Sequence, residues 1–225
     1  MKRILQIGTK GQLGWELLRT CAPLGEVAAL DFPDVDLADS AGLRDLVRSV
    51  KPDIIINAAA YTNVDKAESE PEKARAINAT GPGVLAEEAK KINALLVHYS
   101  TDYVFDGTKG SPYVETDTPN PLSVYGQTKL EGEQVIAASG CVNLVLRSSW
   151  IYSRRSGFVA KVLEWARTQE IIRIVDAPGF IGAPKDEKSW IPRKHGAACC
   201  NLSISSSGQI LQAVRFFNGF LAGEK

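Results

Sequence analysis

The sequence predicts an α/β protein built on a doubly wound parallel sheet. Three observations carry that expectation. The apolar run Ile4-Leu5-Gln6-Ile7 passes directly into a glycine turn, Gly8-Thr9-Lys10-Gly11-Gln12-Leu13-Gly14, and then into Leu13, Leu17 and Leu18 at helical spacing. Four further short apolar runs follow, separated by segments with helical character. No repeat or linker interrupts the alternation, and right-handed crossovers between parallel strands are the connection such a chain makes.

Composition narrows the function classes. The 225 residues suffice for one good core. Twenty-six basic and 26 acidic residues balance, so there is no electrostatic footprint for nucleic acid or an anionic membrane. No apolar run approaches the ~20 residues of a membrane span, and the N-terminus lacks the pattern of a signal peptide. Cysteines stand at 21, 141, 199 and 200 without a Cys-x-x-Cys or a disulfide framework. The expectation is a reduced, soluble, cytoplasmic protein.

The first strand and its turn have the context of a dinucleotide site. Gly8 permits the tight turn, Gly11 lets the backbone approach a pyrophosphate, and Gly14 lets the helix sit close to the sheet. The anion would rest on the helix N-terminus at Gln12 and Leu13. Val27-Ala28-Ala29-Leu30 is the second strand and ends in Asp31, placed to bond the adenosine ribose of NAD. Lys10 is placed to meet the 2′-phosphate of NADP, and the residues leave both cofactors open. Asp36-Leu37 offers a carboxylate to an adenine amine, or a cap or turn.

Asp39 or Ser40 caps a helix with Leu43, Leu46, Val47 and Val50 on its apolar face, ended by Pro52. Ile54-Ile55-Ile56-Asn57 is the third strand, and the small run Ala58-Ala59-Ala60 lets a flat ligand lie close to the backbone. Val64-Asp65-Lys66-Ala67-Glu68 is expected to be a charged, solvated loop. Pro71 opens a helix, which Gly81-Pro82-Gly83 is expected to kink or break. Leu95 to Ser100 is the fourth strand, with His98 a satisfied core histidine. A loop closed by Pro119-Asn120-Pro121 leads to the helix of Tyr125, and Asn143 to Arg147 is the fifth strand.

Tyr125 and Lys129 are four apart and share one helix face. A tyrosine hydroxyl with an ordinary pKa of about 10 is a poor acid or base at neutral pH. A neighbouring ammonium favours the phenolate and brings it into range. Thr101, at the end of the fourth strand, supplies a second hydroxyl for the same substrate oxygen. This set suits carbonyl reduction, in which a forming alkoxide must be protonated.

Gly8-x-x-Gly11-x-x-Gly14, Asn57-Ala58-Ala59-Ala60, Ser100-Thr101-Asp102-Tyr103-Val104-Phe105 and Tyr125-x-x-x-Lys129 stand in the order of a known family. The chain resembles the extended short-chain dehydrogenase/reductases, which have a Rossmann-like fold. Val64-Asp65-Lys66-Ala67-Glu68, the run His98 to Phe105, and Arg147-Ser148-Ser149-Trp150 point to a nucleotide-sugar reductase branch. The resemblance implies NADPH, or NADH, delivering hydride to the C4 ketone of dTDP-4-dehydro-β-L-rhamnose. It implies Tyr125 as proton donor, Lys129 as the residue that holds the nicotinamide ribose and lowers the Tyr125 pKa, and Thr101 at the substrate oxygen. Asp102, Tyr103, Val104 and Trp150 would lie near the sugar.

The resemblance covers residues 1–176, an NAD(P)-binding domain with the catalytic residues. Residues 177–225 read as a divergent tail in place of the substrate domain, as a frame shift near residue 177 would leave. The family's Mg²⁺, at a dimer contact in its C-terminal part, is unsupported by this C-terminus, and the homodimer itself stays open. His195 with Cys199 and Cys200 lacks a fourth ligand and a metal-binding spacing, so no metal site is expected. The alternative function is an NADP-binding protein without turnover, a truncated product or a regulatory subunit like that of methionine adenosyltransferase. The Val64–Glu68 motif argues for the reductase.

Overall fold

The computed structural model describes residues 1–149 and positions 151, 164, 165, 167 and 168. Trp150, the 177–225 tail and the His195, Cys199 and Cys200 set lie outside the described residues.

Five parallel strands form one sheet: β1 (Lys2–Ile7), β2 (Gly25–Leu30), β3 (Ile54–Asn57), β4 (Leu95–Thr101) and β5 (Asn143–Ser148), in the order β2-β1-β3-β4-β5. The order reverses between β1 and β3, and ligands of such sheets bind outside the strands' carboxyl ends at that crevice. Among the described residues six α-helices accompany the strands: α1 (Gln12–Cys21), α2 (Ser40–Val50), α3 (Val64–Ala67), α4 (Pro71–Arg75), α5 (Gly81–Ile92) and α6 (Val124–Ser139).

Alternation along the strands divides the core in two. Leu5, Ile7, Ile55 and Leu96 pack with Leu43 and Val47 of α2, Leu85 and Ala89 of α5 and Ile136 of α6. Ile4, Ile54, Ile56, Leu95 and Val97 face the other way, toward Leu13, Leu17 and Cys21 of α1. β3 reads as an unbroken apolar run because both faces of a parallel sheet are covered. Each fully buried Ile or Leu contributes about 1.5–3 kcal/mol.

Local signals set the helix ends. Asp39 caps α2 by accepting from the N–H groups of Ala41 and Gly42 at 3.1 and 3.0 Å, and Lys51 closes it in the left-handed region at φ 48° just before Pro52. Buried Glu88 of α5 clamps α2 by accepting from Arg44 (3.1 Å) and Arg48 (3.0 Å).

Two expectations are corrected. Gly81-Pro82-Gly83 does not break its helix. A π turn over Ala76–Thr80 joins α4 to α5, and Gly81 is an ordinary helical residue at φ −58°. A proline ring clashes with the carbonyl four residues back. That carbonyl belongs to Asn78, and it lies against Gly132 of α6, where a Cβ would approach to 2.2 Å. The Val64–Glu68 segment is helical rather than a loop, while its charged side chains Asp65, Lys66 and Glu68 are exposed as expected. It holds helix α3, capped by the Asn63 side chain, with Ala67 fully buried and the Glu68 carboxylate accepting from Val124 N–H at 2.8 Å.

Candidate active site

The glycine turn is shaped by backbone contact. Gly8 has φ +90°, and a Cβ there would meet Ala59 N at 2.5 Å; a Cβ at Gly14 would meet the Gly8 carbonyl oxygen at 1.7 Å. Neither position accepts a side chain. Gly11 differs, since a Cβ there would meet only the Gly8 oxygen, at 3.8 Å. The space beside Gly11 is open to a ligand, and no side chain caps the N-terminus of α1 that follows it. An anion of the pyrophosphate class fits that combination. Gln12 is half-buried in the first turn, whereas the Leu13 side chain is in the core, which leaves its backbone as the part able to meet a ligand.

Asp31 and Lys10 meet at the end of β2. The Asp31 carboxylate accepts from Lys10 N–H at 2.6 Å and from Phe32 N–H at 2.7 Å, while Lys10 Nζ donates to the Phe32 carbonyl at 2.6 Å. The residues expected for NAD and for NADP therefore form one unit that ties the turn to β2. Asp36 is exposed and accepts from Ala38 N–H at 2.8 Å, a turn contact, and Leu37 is buried in the core. The structure does not bring these two side chains to the glycine turn through any contact. Ala58, Ala59 and Ala60 are half-buried at the end of β3, beside Gly8.

The second cluster lies at the carboxyl end of β4 and the start of α6. Ser123 caps α6 by accepting from Gly126 N–H at 3.1 Å. Gly126 presses on the turn after β4, where a Cβ would meet the Tyr103 carbonyl oxygen at 2.3 Å. The rings of Tyr103 and Tyr125 meet edge to face with centroids 5.5 Å apart. The Thr101 side chain acts on the Tyr125 hydroxyl, drawing its pKa down against burial. Thr101 also donates to Asp102 Oδ1 at 3.1 Å and accepts from Tyr103 N–H at 3.2 Å. Burial, which raises the Tyr125 pKa, is what keeps it a phenol. Asp102 is buried, and burial raises its carboxyl pKa. Val104 is fully buried against Phe105 and Tyr113, so its side chain is core.

Lys129 departs from the sequence expectation. It is fully buried, and its Nζ donates to the Tyr99 carbonyl at 2.7 Å and lies 3.2 Å from His98 Nε2. Burial pushes its pKa down to about 8, against the pull of Glu133. Tyr125 is pushed up to about 12, chiefly by burial, with Thr101 acting the other way; Lys129 is not among the causes. In this arrangement the Lys129 Nζ is directed to the Tyr99 carbonyl and to His98 of β4.

Sequence reasoning missed the polar residues that hold this helix. Glu133 accepts from Arg147 Nε at 2.9 Å and Nη2 at 2.6 Å, and from the Ser100 hydroxyl. Asn78 bridges Tyr61 N–H (2.9 Å) and the Thr128 hydroxyl (3.2 Å). Glu133 was within reach of spacing alone, being four residues beyond Lys129 on the same face. Among the described residues no group of three or more potential metal ligands gathers, and no helix is long and apolar enough to cross a membrane.

A parallel sheet with a glycine turn at its switch point defines a Rossmann-like fold of the dinucleotide-binding class. The family model described as RmlD substrate binding domain matches residues 1–184, and the chain belongs to that family. It is 45% identical over 186 residues to dTDP-4-dehydrorhamnose reductase of Escherichia coli K12, covering 80% of this chain and 62% of that protein. The corresponding reductase of Burkholderia thailandensis is 46% identical, with 81% and 61% covered. Among solved structures, dTDP-4-dehydrorhamnose reductase of Bacillus anthracis in complex with NADP superposes with a TM-score of 0.74 at 34% identity, covering 77% of this chain and 63% of that one. The chain spans about three fifths of the length of the curated relatives it matches.

Proposed function

We propose that this chain carries the dinucleotide-binding and catalytic part of a dTDP-4-dehydrorhamnose reductase, which reduces the C4 ketone of dTDP-4-dehydro-L-rhamnose to dTDP-L-rhamnose. The observation that carries the reading is the placement of Tyr125, at the start of α6, against the turn that follows Thr101 at the carboxyl end of β4. Its support is the family membership and the activity for which the relatives are named.

NADPH or NADH, when bound, supplies the hydride. The residues that would hold it are Gly8, Gly11 and Gly14 with the start of α1, Lys10 and Asp31 at the adenosine end, and Ala58 to Ala60. Lys129 and Tyr125 would meet its nicotinamide ribose. Thr101 orients the substrate carbonyl, and Tyr125 gives its proton to the alkoxide as it forms. A phenol kept protonated by burial is suited to that direction of reaction. Asp102 and Tyr103 flank the pair and would contact the sugar, and Trp150 joins them in this reading. Cofactor and hydroxyl pair must be held in one geometry, which the backbone contact of Gly8 with Ala59 and of Gly126 with Tyr103 favours.

The test follows NADPH oxidation by the full chain with dTDP-4-dehydro-L-rhamnose, with Tyr125→Phe in parallel. The reading expects turnover in the wild type and a fall of about 10²–10⁴-fold in the variant. NADPH binding without turnover in either protein would support a non-catalytic binding function instead.

A further inference from the structure

Residues 63–70 follow the alanine run at the end of β3, and the chemistry above makes no use of them. They are nonetheless tied to both halves of the site. On the side of β3, the hydroxyl of Tyr61, the residue after Ala60, donates to Glu70 Oε2 at 2.8 Å, and Lys66 Nζ lies 2.9 Å from Glu70 Oε1. The Asn63 side chain caps α3 by accepting from Lys66 N–H at 3.0 Å, and Ala67 is fully buried. On the side of α6, Glu68 Oε1 accepts from Val124 N–H at 2.8 Å.

This last contact falls on the residue that opens α6. Val124 is the first residue of that helix, Tyr125 the second and Gly126 the third. The first N–H groups of a helix have no partner within it. Ser123 covers the third by accepting from Gly126 N–H at 3.1 Å, and Glu68 covers the first. Tyr125 stands between the two capped positions. A carboxylate accepting at a helix N-terminus makes a charge-assisted bond and complements the positive end of the helix dipole. Ser123 adjoins α6 in the chain and moves with it. Glu68 belongs to a different element, so its bond fixes the start of α6 against α3 and, through Glu70 and Tyr61, against the end of β3.

We propose that Glu68 is a positioning residue that sets where α6 begins, and therefore where the Tyr125 hydroxyl stands relative to the cofactor-holding end of β3. The proposal rests on the reading of Tyr125 as proton donor and gives the 64–68 motif a part in it. Hydride transfer and proton transfer are served by different elements, and the reaction needs both in one geometry. Gly126 sets how closely the first turn of α6 sits on the turn after β4, where a Cβ would meet the Tyr103 carbonyl oxygen at 2.3 Å. Glu68 constrains the same first turn from the β3 side.

Two variants of the full chain test this. Glu68→Ala removes the acceptor, and Glu68→Gln keeps an oxygen of the same reach. Glu68 is exposed, so neither change opens a cavity in the core. The first readout needs no cofactor. The Tyr125 ring signals in ¹H–¹³C correlation, assigned by their loss in Tyr125→Phe, carry the ring current of Tyr103, whose centroid is 5.5 Å away. In Glu68→Ala they are expected to shift toward the values of an unstacked tyrosine. The Val124 amide should lose its protection against hydrogen exchange, while the later turns of α6 keep theirs. Glu68→Gln should hold both readings near the wild type.

The second readout is turnover. A misplacement of about 1 Å can cost ~10²-fold, and kcat is expected to fall about tenfold in Glu68→Ala with the KM for NADPH unchanged. Glu68→Gln should recover it.

A Val124 amide that exchanges as fast in the wild type as in Glu68→Ala would overturn the proposal. So would lost amide protection with unshifted Tyr125 ring signals or an unchanged kcat, because Glu68 would then cap the helix without placing the tyrosine. If none of the proteins turns over, the reductase reading fails and the ring signals alone decide on Glu68, so the two failures are told apart.

Discussion

The two halves of the candidate site are made of different material. The dinucleotide half is backbone: Gly8, Gly14 and the Ala58–Ala60 run shape it by how closely main chains approach. The proton-transfer half is side chains: beside Tyr125, Thr101 with Asp102 and Lys129 with His98 and Asn57 form buried hydrogen-bonded chains across β3, β4 and α6. A backbone site fails through sterics and is read in stability. A buried polar site fails through proton placement and is read in chemistry.

The sharpest way to break the first half is Gly14→Ala. A methyl 1.7 Å from the Gly8 oxygen forces α1 off the sheet, and the expected cost is about 3 kcal/mol or more by chemical denaturation. Gly11→Ala sharpens the same contrast, because its methyl meets nothing closer than 3.8 Å. Stability should stay within about 0.5 kcal/mol, while calorimetry shows weakened NADPH binding. Equal stability losses in the two variants would remove the distinction between a packing glycine and a ligand-facing one.

Glu133→Gln tests the second half at intermediate cost. It removes the carboxylate to which Arg147 donates and weakens the tie between α6 and Ser100. A loss of about 1–3 kcal/mol in denaturation is expected. The Lys129 midpoint should fall further, since Glu133 is what raises it.

The smallest effect lies away from both halves. Glu88 is held down to about 2, from an ordinary value of 4.5, first by Arg48 and then by Lys91 and Arg44. A carboxyl lowered in the folded state contributes stability above pH 4.5 that is lost as the pH falls toward 2. Arg48 and Lys91 are more than half exposed, so screening limits the contribution to about 1 kcal/mol. Denaturation of Glu88→Gln against the wild type between pH 5 and 2 should show the difference narrowing on acidification.

The backbone half was the more legible in the sequence. Strand limits followed from apolar runs ending at Asn57 and Thr101, and Gly8 and Gly14 were visible because only glycine fits such a turn. The side-chain half was legible in its members but not in its connections. Tyr125 and Lys129 share a face, yet helical spacing does not say that Lys129 turns toward Tyr99 and away from Tyr125. His98 was read as a satisfied core histidine, and it is one; its partner is what the register of β3 against β4 alone reveals. Leu13, Leu37 and Val104 have the right positions along the chain but send their side chains into the core. The break expected at Gly81-Pro82-Gly83 is absent because proline rules describe an isolated α-helix, whereas here a π turn over Ala76–Thr80 precedes the proline and the helix continues.

The most direct test of one joined site is deuteride transfer. The full chain is incubated with NADPH carrying deuterium at the nicotinamide C4 and with dTDP-4-dehydro-L-rhamnose, and the sugar is analysed by NMR. The account predicts a single deuterium at C4 of dTDP-L-rhamnose, with transfer reduced at least about 10²-fold in Tyr125→Phe. Tight NADPH binding with no deuterium in the sugar, or equal transfer by both proteins, would contradict it.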